Sequence, residues 1–164
     1  MNITLVGMPG SGKSFVGKKL ADWLGYAFLD IDTSLEQKHY LLLQQIVEKL
    51  GDEAFLDAEA KATISQTNGR DNFVISPGGS IIYQTDAVNH LKKISKIIYL
   101  KVSLETLEKR IGDVPRGIIG FKDKTLTGLY DERIPLYEEH CDYTVNGDQE
   151  AETVVRDILK VMGK

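Results

Sequence analysis

Cysteine is almost absent from this 164-residue sequence, and a single Cys141 excludes an intramolecular disulfide and any cysteine-built metal cluster. Standing beside Asp142, that thiol reads as a small core residue rather than a nucleophile. No apolar run approaches the roughly 20 residues that a membrane-spanning helix needs, so no membrane partner is expected. Positive charge is scarce as well. Twenty Lys and Arg against 24 Asp and Glu leave a net charge of −4, and the lysines are scattered. A nucleic-acid footprint needs a clustered positive field, so no nucleic-acid partner is expected either. Internal repeats and low-complexity tracts are missing too. With a strand opening the sequence, no signal peptide and a cytoplasmic setting are expected. A composition 42% hydrophobic and 27% charged suits one soluble domain over residues 1–164 with a real core.

The strongest feature present is Gly7-Met8-Pro9-Gly10-Ser11-Gly12-Lys13-Ser14. It follows the apolar run Ile3-Thr4-Leu5-Val6, read as a buried strand, and opens an amphipathic helix from Lys13 to Leu24. That is the context the G-x-x-x-x-G-K-[ST] phosphate loop requires. Its glycines let successive N–H groups converge on phosphate oxygens, and the positive end of the helix points at the same place. Lys13, expected on an exposed loop, reaches the β- and γ-phosphates, and the Ser14 hydroxyl ligates Mg²⁺. Gly10, Ser11, Gly12, Lys13, Ser14 and the adjoining Phe15 are therefore the nucleotide-binding candidates, with ATP and Mg²⁺ as cofactors.

A second strand, Tyr26 to Leu29, ends in Asp30-Ile31-Asp32, with Thr33 or Ser34 placed to cap the next helix. Ligands of open α/β sheets bind at the carboxyl ends of strands, which puts Asp30 and Asp32 near the phosphate loop. Alternation sets both on one side: one for the metal and its waters, one for an acceptor hydroxyl. Leu41 to Asn68 predicts two helices broken near Gly51-Asp52. Phe73 to Ser76 is a third strand, stopped by Pro77-Gly78-Gly79-Ser80, where paired glycines permit close approach of backbone to a ligand. A helix from about Thr85 to Leu91, a strand Lys96 to Val102 and a helix capped by Ser103 and reaching Arg110 and Ile111 follow. Residues 112–124, rich in breakers, predict a mobile lid carrying Arg116, whose cation completes the charge around a transferring phosphoryl group. A helix from about Thr125 to Glu139, a fifth strand Tyr143 to Val145 and a helix from Glu150 to Val161 complete the chain. Only five arginines occur, which makes Arg110, Arg116 and Arg133 candidates for oxyanion recognition. The alternation predicts an α/β fold with a largely parallel five-stranded sheet flanked by helices.

Nearly the whole chain resembles the shikimate kinases. The phosphate loop, the Asp30/Asp32 pair, the Phe55…Glu59 spacing, the Gly78-Gly79 turn, Arg116 and Glu132-Arg133-Ile134-Pro135-Leu136-Tyr137 occur in the family's order. The resemblance implies a P-loop domain of the nucleoside-monophosphate-kinase type that phosphorylates a small hydroxy acid with ATP. It implies Lys13, Asp32 and Arg116 as catalytic residues, Ser14 and Asp30 at the metal, and Arg110 stacked on adenine. For the substrate it implies Asp32 on the acceptor hydroxyl, Gly78 and Gly79 as backbone donors, and Arg133 on the carboxylate.

The chain departs from the family at Phe55-Leu56-Asp57-Ala58-Glu59, where members carry Phe-Arg-x-x-Glu. A missing charged contact is worth roughly 1.5–3 kcal/mol. Shikimate is the expected acceptor. A second reading places Glu59 in the pocket against the ammonium of a hydroxy amino acid such as homoserine. A third is a nucleotide-binding regulator without turnover.

Overall fold

Strand β1 (Asn2–Val6) is buried along its whole length; Ile3, Leu5 and Val6 are apolar, and the polar Asn2 and Thr4 satisfy their side chains internally. The Thr4 and Ser95 hydroxyls bond at 2.7 Å, and Asn2 donates to the Arg70 carbonyl at 2.9 Å. The computed structural model describes residues 1–112, 117–120 and 124–164. Around β1 are laid β2 (Ala27–Asp30), β3 (Phe73–Ser76), β4 (Ser95–Lys101) and β5 (Tyr143–Asn146), in the order β2-β3-β1-β4-β5 and all parallel. Thr4 pairs with Ile75 on one side and Ile97 on the other, so β1 ends centrally between β3 and β4. The carboxyl end of a strand in that position is where an open α/β sheet binds ligand.

Parallel strands need crossovers, and the helices that provide them cover both faces. Helices α1 (Lys13–Leu24) and α8 (Ala151–Val161) pack on Ile3, Leu5, Val74, Ile98 and Leu100 through Val16, Leu20, Val154 and Ile158. On the opposite face Val6, Ile75, Ile97 and Tyr99 meet α5 (Thr85–Ile94), α6 (Leu104–Ile111) and α7 (Leu126–His140). The alternation of Ile3 and Leu5 against Val6 divides β1 between these two cores. A fully buried aliphatic side chain contributes about 1.5–3 kcal/mol, which is what holds the loops at the sheet's edge in register.

A third apolar cluster lies beside the sheet. It joins α2 (Ile31–His39), α3 (Leu43–Leu50) and α4 (Asp52–Thr67) through Ile31, Leu35, Ile46, Val47 and Phe55, with Ile119 added from the segment 117–120. The break between α3 and α4 falls at Gly51, as expected, with φ +80°.

One boundary differs from the expectation. Asp30 ends β2 and is itself the N-cap of α2, its Oδ1 accepting from the Thr33 N–H at 3.1 Å, so Thr33 and Ser34 lie inside the helix and do not cap it. Asp30 has extended dihedrals and the short acceptor side chain of a good cap, so one residue serves both elements. Asp32 consequently stands on the first turn of a helix, and strand alternation does not set its direction. The stretch expected to be a lid is described only at Gly112, 117–120 and Lys124; Arg116 lies outside the described residues. Among the described residues no helix is long and apolar enough to cross a membrane.

Candidate active site

A cavity of about 790 Å³ opens at the carboxyl ends of the strands, lined by the phosphate loop, Asp32, the turn 76–80, Arg110, residues 117–119, Arg133 and residues 147–151. The loop's shape follows from its glycines: Gly10 and Gly12 have φ of +80° and +90°, a region L side chains rarely adopt. Gly12 is the N-cap of α1 and brings no side chain to the first-turn N–H groups, which leaves them for an anion.

Lys13 is buried, not on an exposed loop, because it is the first residue of α1 and folds back under the loop. Its Nζ donates to the carbonyls of Gly7 and Met8 at 2.9 and 3.0 Å. Burial pushes its ammonium down to about 8, against the opposing pull of Asp32 and Asp30. Beside it the Ser14 hydroxyl donates to Asp30 Oδ2. A hydroxyl and a carboxylate in contact at the mouth of a phosphate loop are hard oxygen donors that suit Mg²⁺, which keeps most of its waters. No group of three or more His, Cys, Asp or Glu side chains that could hold a metal occurs among the described residues.

The same cavity is lined by Arg133, only 1% exposed. Its Nε donates to the Tyr83 hydroxyl at 3.1 Å and its Nη2 to the Ile119 carbonyl at 2.8 Å, and its guanidinium carbon lies 5.2 Å from the centre of the Tyr83 ring. These contacts fix the plane of the fork while leaving donors for a carboxylate. Asp32 lines the same cavity as Arg133 and the phosphate loop. Burial, then the neighbouring Asp30, raises its carboxyl to about 6.

Gly78 and Gly79 are there because nothing larger fits. A Cβ at Gly78 would fall 2.1 Å from Glu59 Oε1 and 2.8 Å from Asp32 Oδ1; one at Gly79 would fall 2.9 Å from Pro9 Cδ. The turn thus lies directly on the phosphate loop and on both carboxyl groups.

Glu59 departs from the expected substrate-binding role. It is 0% exposed, sits beneath Gly78 and does not line the cavity; Ser80 Oγ donates to its Oε2 at 2.7 Å. A hydroxy amino acid would need that carboxylate open to its ammonium, and the turn covers it. Leu56 likewise packs against the cluster of α2, α3 and α4.

Nucleotide-side candidates lie where a base and ribose could reach. Arg110 Nη1 donates to the Gly10 carbonyl at 3.2 Å, and Phe15 is 63% exposed at the rim. Several lining residues escaped sequence reasoning. The loop 147–150 after β5 borders the cavity, and its place at the carboxyl end of a strand is the signal that points to it. Tyr83 and the Ile119 carbonyl hold Arg133, and Tyr137, one turn beyond Arg133 on α7, shares its face.

The shikimate kinase family model matches residues 9–163. A shikimate kinase from Caldanaerobacter subterraneus subsp. tengcongensis is 33% identical over 99% of this chain and 99% of its own length. One from Clostridium botulinum strain 657 is 34% identical over 99% and 98%. Among solved structures, shikimate kinase from Acinetobacter baumannii in complex with shikimate superposes with a TM-score of 0.86 at 31% identity, covering 98% of this chain and 92% of that one. The Aquifex aeolicus enzyme gives 0.87 at 29% identity over 99% and 96%.

Proposed function

Because the chain belongs to the shikimate kinase family, we propose that it transfers the γ-phosphoryl group of ATP to a hydroxyl of shikimate. One observation carries this reading: Lys13, Asp32 and Arg133 line a single cavity together with the phosphate loop, and the guanidinium is held by Tyr83 and the Ile119 carbonyl. Phosphoryl transfer asks little covalent chemistry of a protein and much positioning and charge. Arg133 takes the substrate carboxylate, which turns a ring hydroxyl toward Asp32. Asp32 orients that hydroxyl and accepts its proton as the bond to phosphorus forms. Lys13 leaves its two loop carbonyls to neutralise charge on the γ-phosphate, and the N–H groups at the start of α1 receive the β-phosphate oxygens.

Mg²⁺ would be held by Ser14, with Asp30 on its waters, and when bound supplies charge neutralisation between the phosphates. Gly78 and Gly79 bring backbone to the substrate, while Gly10, Ser11, Gly12, Phe15 and Arg110 serve the nucleotide. Residues 112–124 act as a lid over a one-domain kinase, with Arg116 completing the charge around the phosphoryl group. A reaction fed by ATP fits the cytoplasm.

The test is ADP release in a coupled assay over a panel of hydroxy acids and hydroxy amino acids, with the product weighed by mass spectrometry. Release that depends on shikimate, with a gain of one phosphoryl group, is the expected result. Release supported by another acceptor and not by shikimate overturns the reading.

A further inference from the structure

Among the described residues two carboxyl oxygens are buried without a partner and lie against the same point in the fold. Glu59 Oε1 and Asp32 Oδ1 are both buried without a hydrogen bond, and both crowd the point where Gly78 would carry a Cβ. Two ionised carboxylates cannot stay that close in a dry site without a cation or a shared proton. No cation supplies the first. Lys13 donates to Gly7 and Met8 and Arg133 to Tyr83 and Ile119, and among the described residues neither cation makes an ion pair with Glu59 or Asp32. Leu56, three residues before Glu59 on α4, is apolar and brings no charge to it.

We propose that Glu59 is a neutral hydrogen-bond donor that positions Asp32: one Glu59 oxygen receives the Ser80 hydroxyl, the other carries a proton donated to Asp32 Oδ1, and the second Asp32 oxygen is left for the acceptor hydroxyl. The arrangement accounts for both orphan oxygens with one proton. It also explains why position 78 is glycine, since a side chain there would part the pair. The groups around Glu59 are Asp32 from α2, Lys13 from α1, Ser80 from the turn, and Arg133 and Tyr137 from α7. Burial first, and the Asp32 charge second, push its carboxyl up to about 8, over the opposing effects of Ser80, Arg133 and Lys13. Because Asp32 is fixed by a neutral group, its orientation does not cost the site a second negative charge beside the incoming phosphates.

This role for Glu59 rests on the kinase reading, but the state of its carboxyl does not, and the experiment separates them. In ligand-free protein carrying ¹³C-labelled glutamate side chains, the carboxyl resonance that disappears in Glu59→Gln identifies Glu59, and its pH titration is followed by NMR. A midpoint well above the usual carboxylate range is expected; a midpoint of about 4–5 overturns the proposal whatever the substrate proves to be. The second measurement is turnover of the same variants at pH 7. Gln can accept from Ser80 and donate to Asp32 without ionising, so Glu59→Gln stays within about threefold of wild-type kcat, whereas Glu59→Ala, which leaves Asp32 free to swing, loses on the order of 100-fold. Equal losses in the two variants would mean that the negative charge is what matters, and the donor role would fall. If wild type shows no shikimate-dependent ADP release while the Glu59 resonance titrates high, the substrate reading fails and the proton assignment stands.

Discussion

The Tyr137 hydroxyl donates to the carbonyl oxygen of Gly79 at 2.6 Å, across 58 residues of chain and with both partners buried. It ties α7, which carries Arg133, directly to the glycine turn that rests on the phosphate loop. Tyr137 is also stacked on Tyr99 of β4, ring centres 5.1 Å apart and planes 21° from parallel. One side chain anchored in the sheet thereby connects the helix that carries Arg133 to the turn that rests on the phosphate loop.

Tyr137→Phe keeps the stacking and removes the bond. The Gly79 carbonyl is then buried without this donor, which costs about 1–3 kcal/mol. The expected outcome is a lower urea midpoint, together with a rise in KM for the acceptor that exceeds any change in KM for ATP. Equal changes in both constants would show that the tie does not separate the two ends.

Lys13→Met should abolish turnover, with a loss of at least 10²–10³-fold in kcat, because the fixed positive charge at the γ-phosphate is gone. The fold should persist: an ammonium whose burial already lowers it to about 8 is replaced by an apolar chain of similar length. Circular dichroism and a thermal melt against wild type check the fold; retained turnover would remove Lys13 from the mechanism.

How far the site could be read in advance depended on how local its chemistry is. The phosphate loop was legible because its glycines, lysine and serine are contiguous and work through backbone N–H groups. The five strands were legible for a similar reason, each being a short apolar run bounded by breakers. The start of α2 was misplaced because Asp30 both ends a strand and caps a helix, and Thr33 and Ser34 offered equally good caps. Glu59 was misread because its exposure is decided by Gly78 lying on it, a contact between α4 and a distant turn. Tyr137 was singled out only as the end of the segment around Arg133, and its contact was not legible because its partner is a backbone carbonyl that any residue possesses.

The buried state of Glu59 also makes stability depend on pH. Its carboxyl is raised from 4.5 to about 8 by burial and by Asp32, so the folded protein binds a proton more tightly than the unfolded chain. The contribution is fully present below the unfolded value and is lost as pH rises through the folded one. Urea midpoints of wild type relative to Glu59→Gln should therefore fall between pH 5 and 9, by an amount on the order of a few kcal/mol in free energy. A constant difference over that range would place an ordinary, ionised carboxylate at position 59.

Leu56→Arg joins the acceptor site to the Glu59 proton in one variant. Leu56 is partly buried against the α2–α3–α4 cluster, and an arginine can keep its aliphatic stem there while its head reaches past the apolar surface. Positions 56 and 59 are neighbours on α4, so the new cation would stabilise the ionised form of Glu59 and draw its titration downward. On the proposed function, the same guanidinium would add a second charged donor toward the substrate carboxylate assigned to Arg133. A charged hydrogen bond is worth about 1.5–3 kcal/mol, so KM for shikimate should fall by roughly one to two orders of magnitude. The ionised Glu59 no longer donates to Asp32, so kcat should drop at the same time. Opposite movement of the two constants, with the Glu59 resonance titrating lower than in wild type, is the signature expected. A lower KM with kcat and the Glu59 titration both unmoved would show that an arginine at 56 serves the substrate alone, and that Asp32 does not depend on the proton at Glu59.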